Sequence, residues 1–298
     1  PSVLNLLNLM VFRFTKEGQV HHFLLDTGSP ISFSTRLTHL THEDLGFDTP
    51  FRHTLHPALI QLDDASRMLG VPITGFVGMD LVKQFDTFLI DARSRRIAPN
   101  VDPDGFNAEW DVPIEPGTFI LGQASLAGGP LERVAYDTGA MCTIVLDPNL
   151  PQGLPQSEVW TVPTMYGVLP SRLYNGLDVR LENGPAWPSI VGHPQGFPNP
   201  GFRAIIGLDI LSNYACLYDM RGRRLLLRES DKEPVFEMNA PFTLGIKAEF
   251  DGEDLVAAHV LDGMSENHPK VGDRIAIKGV DHAEPEAVNR ITSALTML

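Results

Sequence analysis

Leu24-Leu25-Asp26-Thr27-Gly28-Ser29 is an apolar strand running into Asp-Thr-Gly, and Val134-Ala135-Tyr136-Asp137-Thr138-Gly139-Ala140 is a second. One such tripeptide marks little more than a turn, because Gly admits sharp backbone angles and Asp bonds to its own turn. Two copies, each closing an apolar strand and lying about one small domain apart, put two carboxylates in equivalent positions.

The flanking sequence repeats as well. Residues 3–14 are mostly apolar, Lys16-Glu17-Gly18-Gln19 turns, and Val20 to Leu25 returns, so a β-hairpin delivers Asp26 at its end. Ile31 and Phe33 continue as a short strand. Residues 35–56 read as loop with one short helix; His39, His42, His53 and His56 lie there without the spacing of a standard metal site. Ala58 to Leu62 and Met68 to Val71 predict a second hairpin. Phe76-Val77-Gly78 is an apolar pair closed by glycine. Met79, Val82 and Phe85 have helical spacing, Phe88 to Asp91 is a strand, and Arg96 to Ala98 its return. Pro99 to Pro116, with four prolines, reads as a connector.

The second half runs through the same order. Thr118 to Leu126 and Leu131 to Tyr136 form the hairpin before Asp137, and Met141 to Leu146 the short strand after it. A Pro- and Gly-rich middle includes Val162 to Leu169 and Leu173 to Leu181. Ile205-Ile206-Gly207 then matches Phe76-Val77-Gly78, Leu208 to Tyr214 the short helix, and Cys216 to Asp219 the strand. Both strand pairs share an Asp-x-Arg-x-Arg-Arg turn, Asp91 to Arg96 and Asp219 to Arg224. An internal duplication of this kind predicts two similar lobes, with an insertion in the middle of the second.

Two carboxylates held side by side cannot both ionise easily, so they share one proton. One is then a base able to activate a water between them, and the other an acid able to protonate a carbonyl oxygen. Glycine allows close approach to a carboxylate, and the Thr hydroxyl can bond across the axis. Ser29 brings a hydroxyl beside Asp26 where Ala140 brings none beside Asp137, which predicts that Asp26 ionises more readily.

The paired motifs resemble those of the aspartic proteases. Asp26-Thr27-Gly28-Ser29 and Asp137-Thr138-Gly139-Ala140 match the family's active-site turn, and Val77-Gly78 and Ile206-Gly207 its later apolar-Gly element. Each lobe is about the size of one retropepsin subunit, so the resemblance is to a single-chain retropepsin-like enzyme. It covers about residues 1–230 and implies a mainly β, bilobal, pseudo-twofold acid-protease β-barrel fold. It also implies peptide-bond hydrolysis by Asp26 and Asp137, supported by Thr27, Gly28, Ser29, Thr138, Gly139, Ala140, Gly78 and Gly207, with no cofactor and no metal. Such enzymes close a hairpin flap over a polypeptide substrate. Met165-Tyr166-Gly167 is the candidate tip in the second lobe, with Tyr166 a candidate to bond into the site, and Leu62 to Ser66 the candidate in the first.

Residues 234–298 fit neither repeat and resemble a small α+β PDZ domain. Thr243-Leu244-Gly245-Ile246 matches the carboxylate-binding loop, Val271 to Val280 the other recognisable run, and a helix from Pro285 a groove wall. That resemblance implies capture of a peptide or protein C-terminus at Leu244, Gly245 and Ile246. The expected organisation is an N-terminal lobe over 1–116, a C-terminal lobe over 117–232 and the tail over 233–298.

The 298 residues suffice for such an arrangement, with 43% hydrophobic and 20% charged content of ordinary globular kind. A net charge of −14 opposes nucleic acid and anionic membrane surfaces as partners. No apolar run approaches the ~18 residues a transmembrane helix requires. Cys142 and Cys216 read as two small buried residues, with a single bridge the alternative. The chain opens on Pro1; a removed leading segment and an exported or periplasmic location are expected. Two other readings of the repeat stand beside the hydrolase: a duplicated β-domain whose Asp-Thr-Gly turns are only turns, and an inactive peptide-binding or regulatory protein using the same cleft and PDZ-like groove.

Overall fold

The computed structural model describes residues 1–6, 9–58, 62–146, 159–164, 167–197, 201–230, 246–251 and 254–260. The first half contains β1 (Ser2–Leu6), β2 (Leu9–Lys16), β3 (Gln19–Leu25), β4 (Phe33–Ser34), β5 (His39–Thr41), α1 (His42–Leu45), β6 (Arg52–Thr54), β7 (His56–Pro57), α2 (Asp63–Leu69), β8 (Gly75–Val77), α3 (Met79–Val82), β9 (Thr87–Asp91) and β10 (Arg96–Pro99). Then follow β11 (Trp110–Pro113), β12 (Glu115–Pro116), β13 (Ile120–Leu126), β14 (Gly129–Tyr136), β15 (Ile144–Val145), β16 (Val159–Thr164), β17 (Gly167–Leu181), β18 (Ala186–Pro194), β19 (Ala204–Ile206), α4 (Leu208–Leu211), β20 (Tyr214–Asp219) and β21 (Arg224–Glu229). β22 (Ile246–Asp251) and β23 (Asp254–Val260) complete the described elements. The chain is mainly β.

The sequence repeat is a repeat of topology. The first sheet has the order β1-β2-β3-β8-β4-β7, and the second contains β12-β13-β14-β19-β15-β18. Every pairing sense matches. β3 and β8 are parallel, as are β14 and β19. β4 and β15 run antiparallel to β8 and β19, then parallel to β7 and β18. In both lobes the apolar-apolar-Gly strand therefore lies beside the strand that delivers the aspartate. The second lobe adds β17 and β16 beyond β18, and β17 also pairs with β13. The strands β13-β14-β19-β15-β18-β17 thus close into a barrel, which removes their free edges.

The lobes meet in a shared antiparallel sheet of order β10-β9-β20-β21-β11. Leu89 pairs with Leu217, flanked by Phe88 with Tyr218 and Ile90 with Cys216. Those flanking pairs are the same pair under exchange of the repeats, so the pseudo-twofold axis passes through Leu89 and Leu217. β9 and β20 are buried along their whole length, as a continuous apolar run between two layers requires. Both turns of this sheet are tied by their aspartate: Asp91 Oδ1 accepts the Ser94 N–H at 3.2 Å, and Asp219 Oδ1 the Gly222 N–H at 2.7 Å. Arg95 and Arg223 each take the left-handed conformation there.

Three expectations require correction. The segment read as a second hairpin holds α2 instead. Leu62, Ala65 and Leu69 line up at helical spacing, and Leu62 and Leu69 are buried. Ser66 Oγ donates to Leu62 O at 2.7 Å and accepts the Ile73 N–H at 2.9 Å, so Leu62 to Ser66 is not a flap tip. Residues 35–56 hold the expected short helix, but flanked by β5 and β6, with Thr41 and Asp44 forming a capping box. The connector contains β11, which pairs with β21 and widens the shared sheet.

In the tail, β22 and β23 pair from Ile246 with Val260 to Asp251 with Asp254. Ile246 opens β22. Leu244, Gly245, the run Val271 to Val280 and the helix from Pro285 lie outside the described residues.

Candidate active site

Asp26 and Asp137 follow the last residues of β3 and β14, and their turns meet at the axis. Each strand is carried on into its turn by the parallel neighbour: the Asp26 N–H donates to Val77 O at 2.9 Å and the Asp137 N–H to Ile206 O at 3.0 Å. The threonines then cross between lobes. The Thr27 N–H donates to Thr138 Oγ1 at 3.1 Å, and the Thr138 N–H to Thr27 Oγ1 at 2.9 Å. Each hydroxyl passes its own proton to the opposite strand, Thr27 Oγ1 to Tyr136 O at 2.8 Å and Thr138 Oγ1 to Leu25 O at 3.1 Å. Thr27 and Thr138 are almost fully buried. Four hydrogen bonds in this closed interior fix the register of one turn against the other.

The glycines permit the contact above. A Cβ on Gly28 would fall onto the Asp137 carboxylate, and one on Gly139 would come within 2.5 Å of Asp26 Cγ. Gly78 and Gly207 act one layer below. A Cβ on Gly78 would meet Ile31 O at 2.5 Å and Ser29 O at 2.8 Å; on Gly207 it would meet Cys142 O and Ala140 O at the same two distances. The following amides bind the same loops, Met79 N–H to Ser29 O at 2.9 Å and Leu208 N–H to Ala140 O at 2.8 Å.

The carboxylates themselves are unequal. Gly28 N–H donates to Asp26 Oδ1 at 2.9 Å and to Asp137 Oδ1 at 3.0 Å, while Gly139 N–H donates to Asp137 Oδ1 at 2.7 Å. Desolvation raises the affinity of both carboxyls for protons; the Asp137 charge and a hydrogen bond to it raise Asp26 much further. Amides of Gly139, Gly28 and Ala140 hold Asp137 down, against Gly28 and Ser29 for Asp26. Asp137 Oδ1 thus accepts two amide hydrogen bonds and Asp26 Oδ1 one, an asymmetry that favours the charge on Asp137. This reverses the order expected from Ser29. Its hydroxyl donates to Ile31 O at 2.7 Å, so it stiffens the loop after Asp26 and gives the Asp26 carboxyl no bond.

Sequence reasoning missed the layer that holds these loops. Asp80, two residues after Gly78, accepts the Ser32 N–H at 2.7 Å and the Ser32 hydroxyl at 2.6 Å on Oδ1. Asp209, two residues after Gly207, accepts the Thr143 hydroxyl at 3.1 Å. The signal was present in both repeats as apolar-apolar-Gly-x-Asp, with a hydroxyl residue six positions after each Asp-Thr-Gly aspartate. The two differ in charge. Burial alone would raise Asp80, but hydrogen bonds from His53 and Ser32 outweigh it and bring the group to about 2. At Asp209 burial outweighs the hydrogen bonds from Thr143 and pushes the group up to about 6.

Of the flap candidates, Gly167 opens β17 and pairs with Thr164 at the closed end of the β16–β17 hairpin. Met165 and Tyr166 lie outside the described residues. Cys142 and Cys216 are buried and unbridged. Among the described residues no group of three or more His, Cys, Asp or Glu is placed to hold a metal, and no helix is long and apolar enough to cross a membrane.

No protein-family profile matches the chain, and no curated protein matches it. Among solved structures it is similar to basic 7S globulin from soybean, at 11% identity and a TM-score of 0.44, over 76% of this chain and 94% of that one. What the site can do is read from the two turns themselves.

Proposed function

We propose that the protein is an aspartic endopeptidase, in which Asp137 and Asp26 are the base and acid of a single dyad. The observation that carries this reading is the Gly28 N–H, which touches both carboxylates at once: groups so close share a proton. A water between them gives a proton to Asp137 as its oxygen attacks the peptide carbonyl, and Asp26 protonates the carbonyl oxygen. The tetrahedral intermediate then collapses as the amide nitrogen takes the proton held by Asp137 and leaves, while one hydroxyl of the intermediate returns a proton to Asp26, with no bond formed to the protein.

The substrate class is an extended polypeptide. The β16–β17 hairpin supports this as the covering element, and the PDZ-like tail remains a proposed site for a peptide C-terminus. The proposed units are 1–116, 117–232 and 233–298. The test is cleavage of an unstructured polypeptide at acidic to neutral pH by the wild-type chain, Asp26→Asn and Asp137→Asn. Each variant is expected to lose about 10²- to 10⁴-fold in rate; activity surviving either substitution rules out a shared dyad.

A further inference from the structure

The two lobes differ in what lies between the short strand after the aspartate turn and the next strand of the sheet. In the second lobe the β16–β17 hairpin comes between β15 and β18 along the chain. In the first, β5–α1–β6 stands at the equivalent place, between β4 and β7, and it is packed down onto the lobe. Leu40, Leu45 and Phe47 are buried. The Phe47 ring meets Phe12, Phe85 and Phe88 edge-on, with centroids 5.8 to 6.0 Å apart. Lys16 Nζ pairs with Asp44 Oδ2 at 2.6 Å.

From this anchored segment one side chain reaches the layer beneath the dyad. His53 in β6 is 9% exposed, and its Nε2 lies 3.2 Å from Asp80 Oδ2. Gln84 Nε2 is 2.7 Å from His53 Nδ1 and 3.1 Å from Asp80 O. With the Gln84 amide donating to both, Nδ1 accepts, and Nε2 carries the proton donated to Asp80. Asp80 Oδ1 in turn holds Ser32, whose Oγ accepts the Gly78 N–H at 2.9 Å. Ser32 is fully buried and closes the loop that leaves Asp26.

We propose that His53 is a positioning residue for Asp26, acting through Asp80 and Ser32, so that β5–α1–β6 serves the first lobe as a fixed brace for its half of the site. The groups bonded to the Asp80 carboxylate are His53 from β6 and Ser32 from the loop before β4, while Gln84, from the turn after α3, bonds to His53 Nδ1 and to Asp80 O. His53 is the titratable one. Asp209, at the equivalent place in the second lobe, accepts the Thr143 hydroxyl at 3.1 Å. The low proton affinity of Asp80 agrees with this arrangement.

The effect on cleavage rests on the hydrolytic reading; the effect on the carboxylates does not. His53→Ala and His53→Gln are therefore compared by cleavage of an unstructured polypeptide across pH and by NMR titration of the full chain labelled at Asp Cγ. His53→Ala is expected to move the Asp80 titration up from about 2 toward or above the ordinary carboxylate value of 3.8, and to shift the titration of the Asp26–Asp137 pair. It should lower kcat about 10- to 100-fold, with KM changing far less, as misplacement of a reacting group does. The loss should deepen toward acid pH, where Asp80 now protonates. His53→Gln, which retains an N–H donor, should recover most of the rate. If His53→Ala does not fold, Gln84→Met, which frees Nδ1, takes its place in both measurements. Unchanged Asp80 and dyad titrations overturn the proposal, as does equal loss in the Ala and Gln variants tracking a common loss of stability. A wild-type chain that cleaves nothing overturns the hydrolytic reading alone, and the NMR titrations still decide the role of His53.

Discussion

The peptide N–H of Gly28 donates to Oδ1 of Asp137, in the other lobe, at 3.0 Å. One backbone group of the first turn is thus part of the carboxylate shell of the second. The turns approach this closely because residue 28 has no side chain, and its φ is of a kind any residue adopts. Space, and not conformational freedom, is what requires glycine here.

Gly28→Ala tests that statement. The added methyl falls on the Asp137 carboxylate, which is the end of a side chain and can swing aside. The backbone has no reason to move. Cleavage is expected to fall by about 10²-fold or more, while the thermal midpoint stays close to that of the wild type. A variant that cleaves normally would show that the two turns are not in contact at Gly28 and Asp137.

The duplication was legible because each repeated feature has a local cause: a hairpin, a Gly at a close contact, an Asp that ties its own turn. What could not be read was set by partners remote in sequence. α2 won over a hairpin because Leu62 and Leu69 find a core to enter. The Ser29 hydroxyl follows Asp26 by three residues in the chain, yet packing gives it to Ile31 O. His53 looked like one of four histidines in a polar loop. Its role depends on Asp80, 27 residues away. The Gly-x-Asp pairs could have been found, since they recur at the same place in both halves.

The pH dependence of stability should be carried by opposing groups. Asp209 has its proton affinity raised by burial to about 6 in the folded chain. The folded state then binds more protons than the unfolded one, so this contribution is fully present below the ordinary value of 3.8 and is lost as pH rises through 6. His21 and His22 are buried and their affinities are lowered by desolvation. There the unfolded state binds more protons, so stability is lost as pH falls through 6.5. Between pH 7 and 5 the two effects oppose each other. Asp209→Asn removes the first and leaves the second. Unfolding free energies of the variant from denaturant titration should fall more steeply from pH 7 to pH 5 than those of the wild type, by about 1 kcal/mol. Parallel curves would mean that Asp209 does not titrate in this range.

The cross-lobe threonines offer a last separation, between holding the lobes and doing chemistry. Thr27→Val keeps the shape of the side chain and removes its hydroxyl. The Thr138 N–H then loses its acceptor and Tyr136 O its donor, in a region closed to water. An orphaned buried group costs about 1–3 kcal/mol, and two are created. Thr27→Ser keeps both hydrogen bonds and forfeits one methyl, at about 1 kcal/mol. Chemical denaturation should therefore rank wild type, Ser and Val in falling order, with the larger step at Val. Because the hydroxyl touches neither carboxylate, the Ser variant should cleave with the pH profile of the wild type. A Val variant as stable as the Ser variant would show that the threonine crossing does not hold the two lobes together.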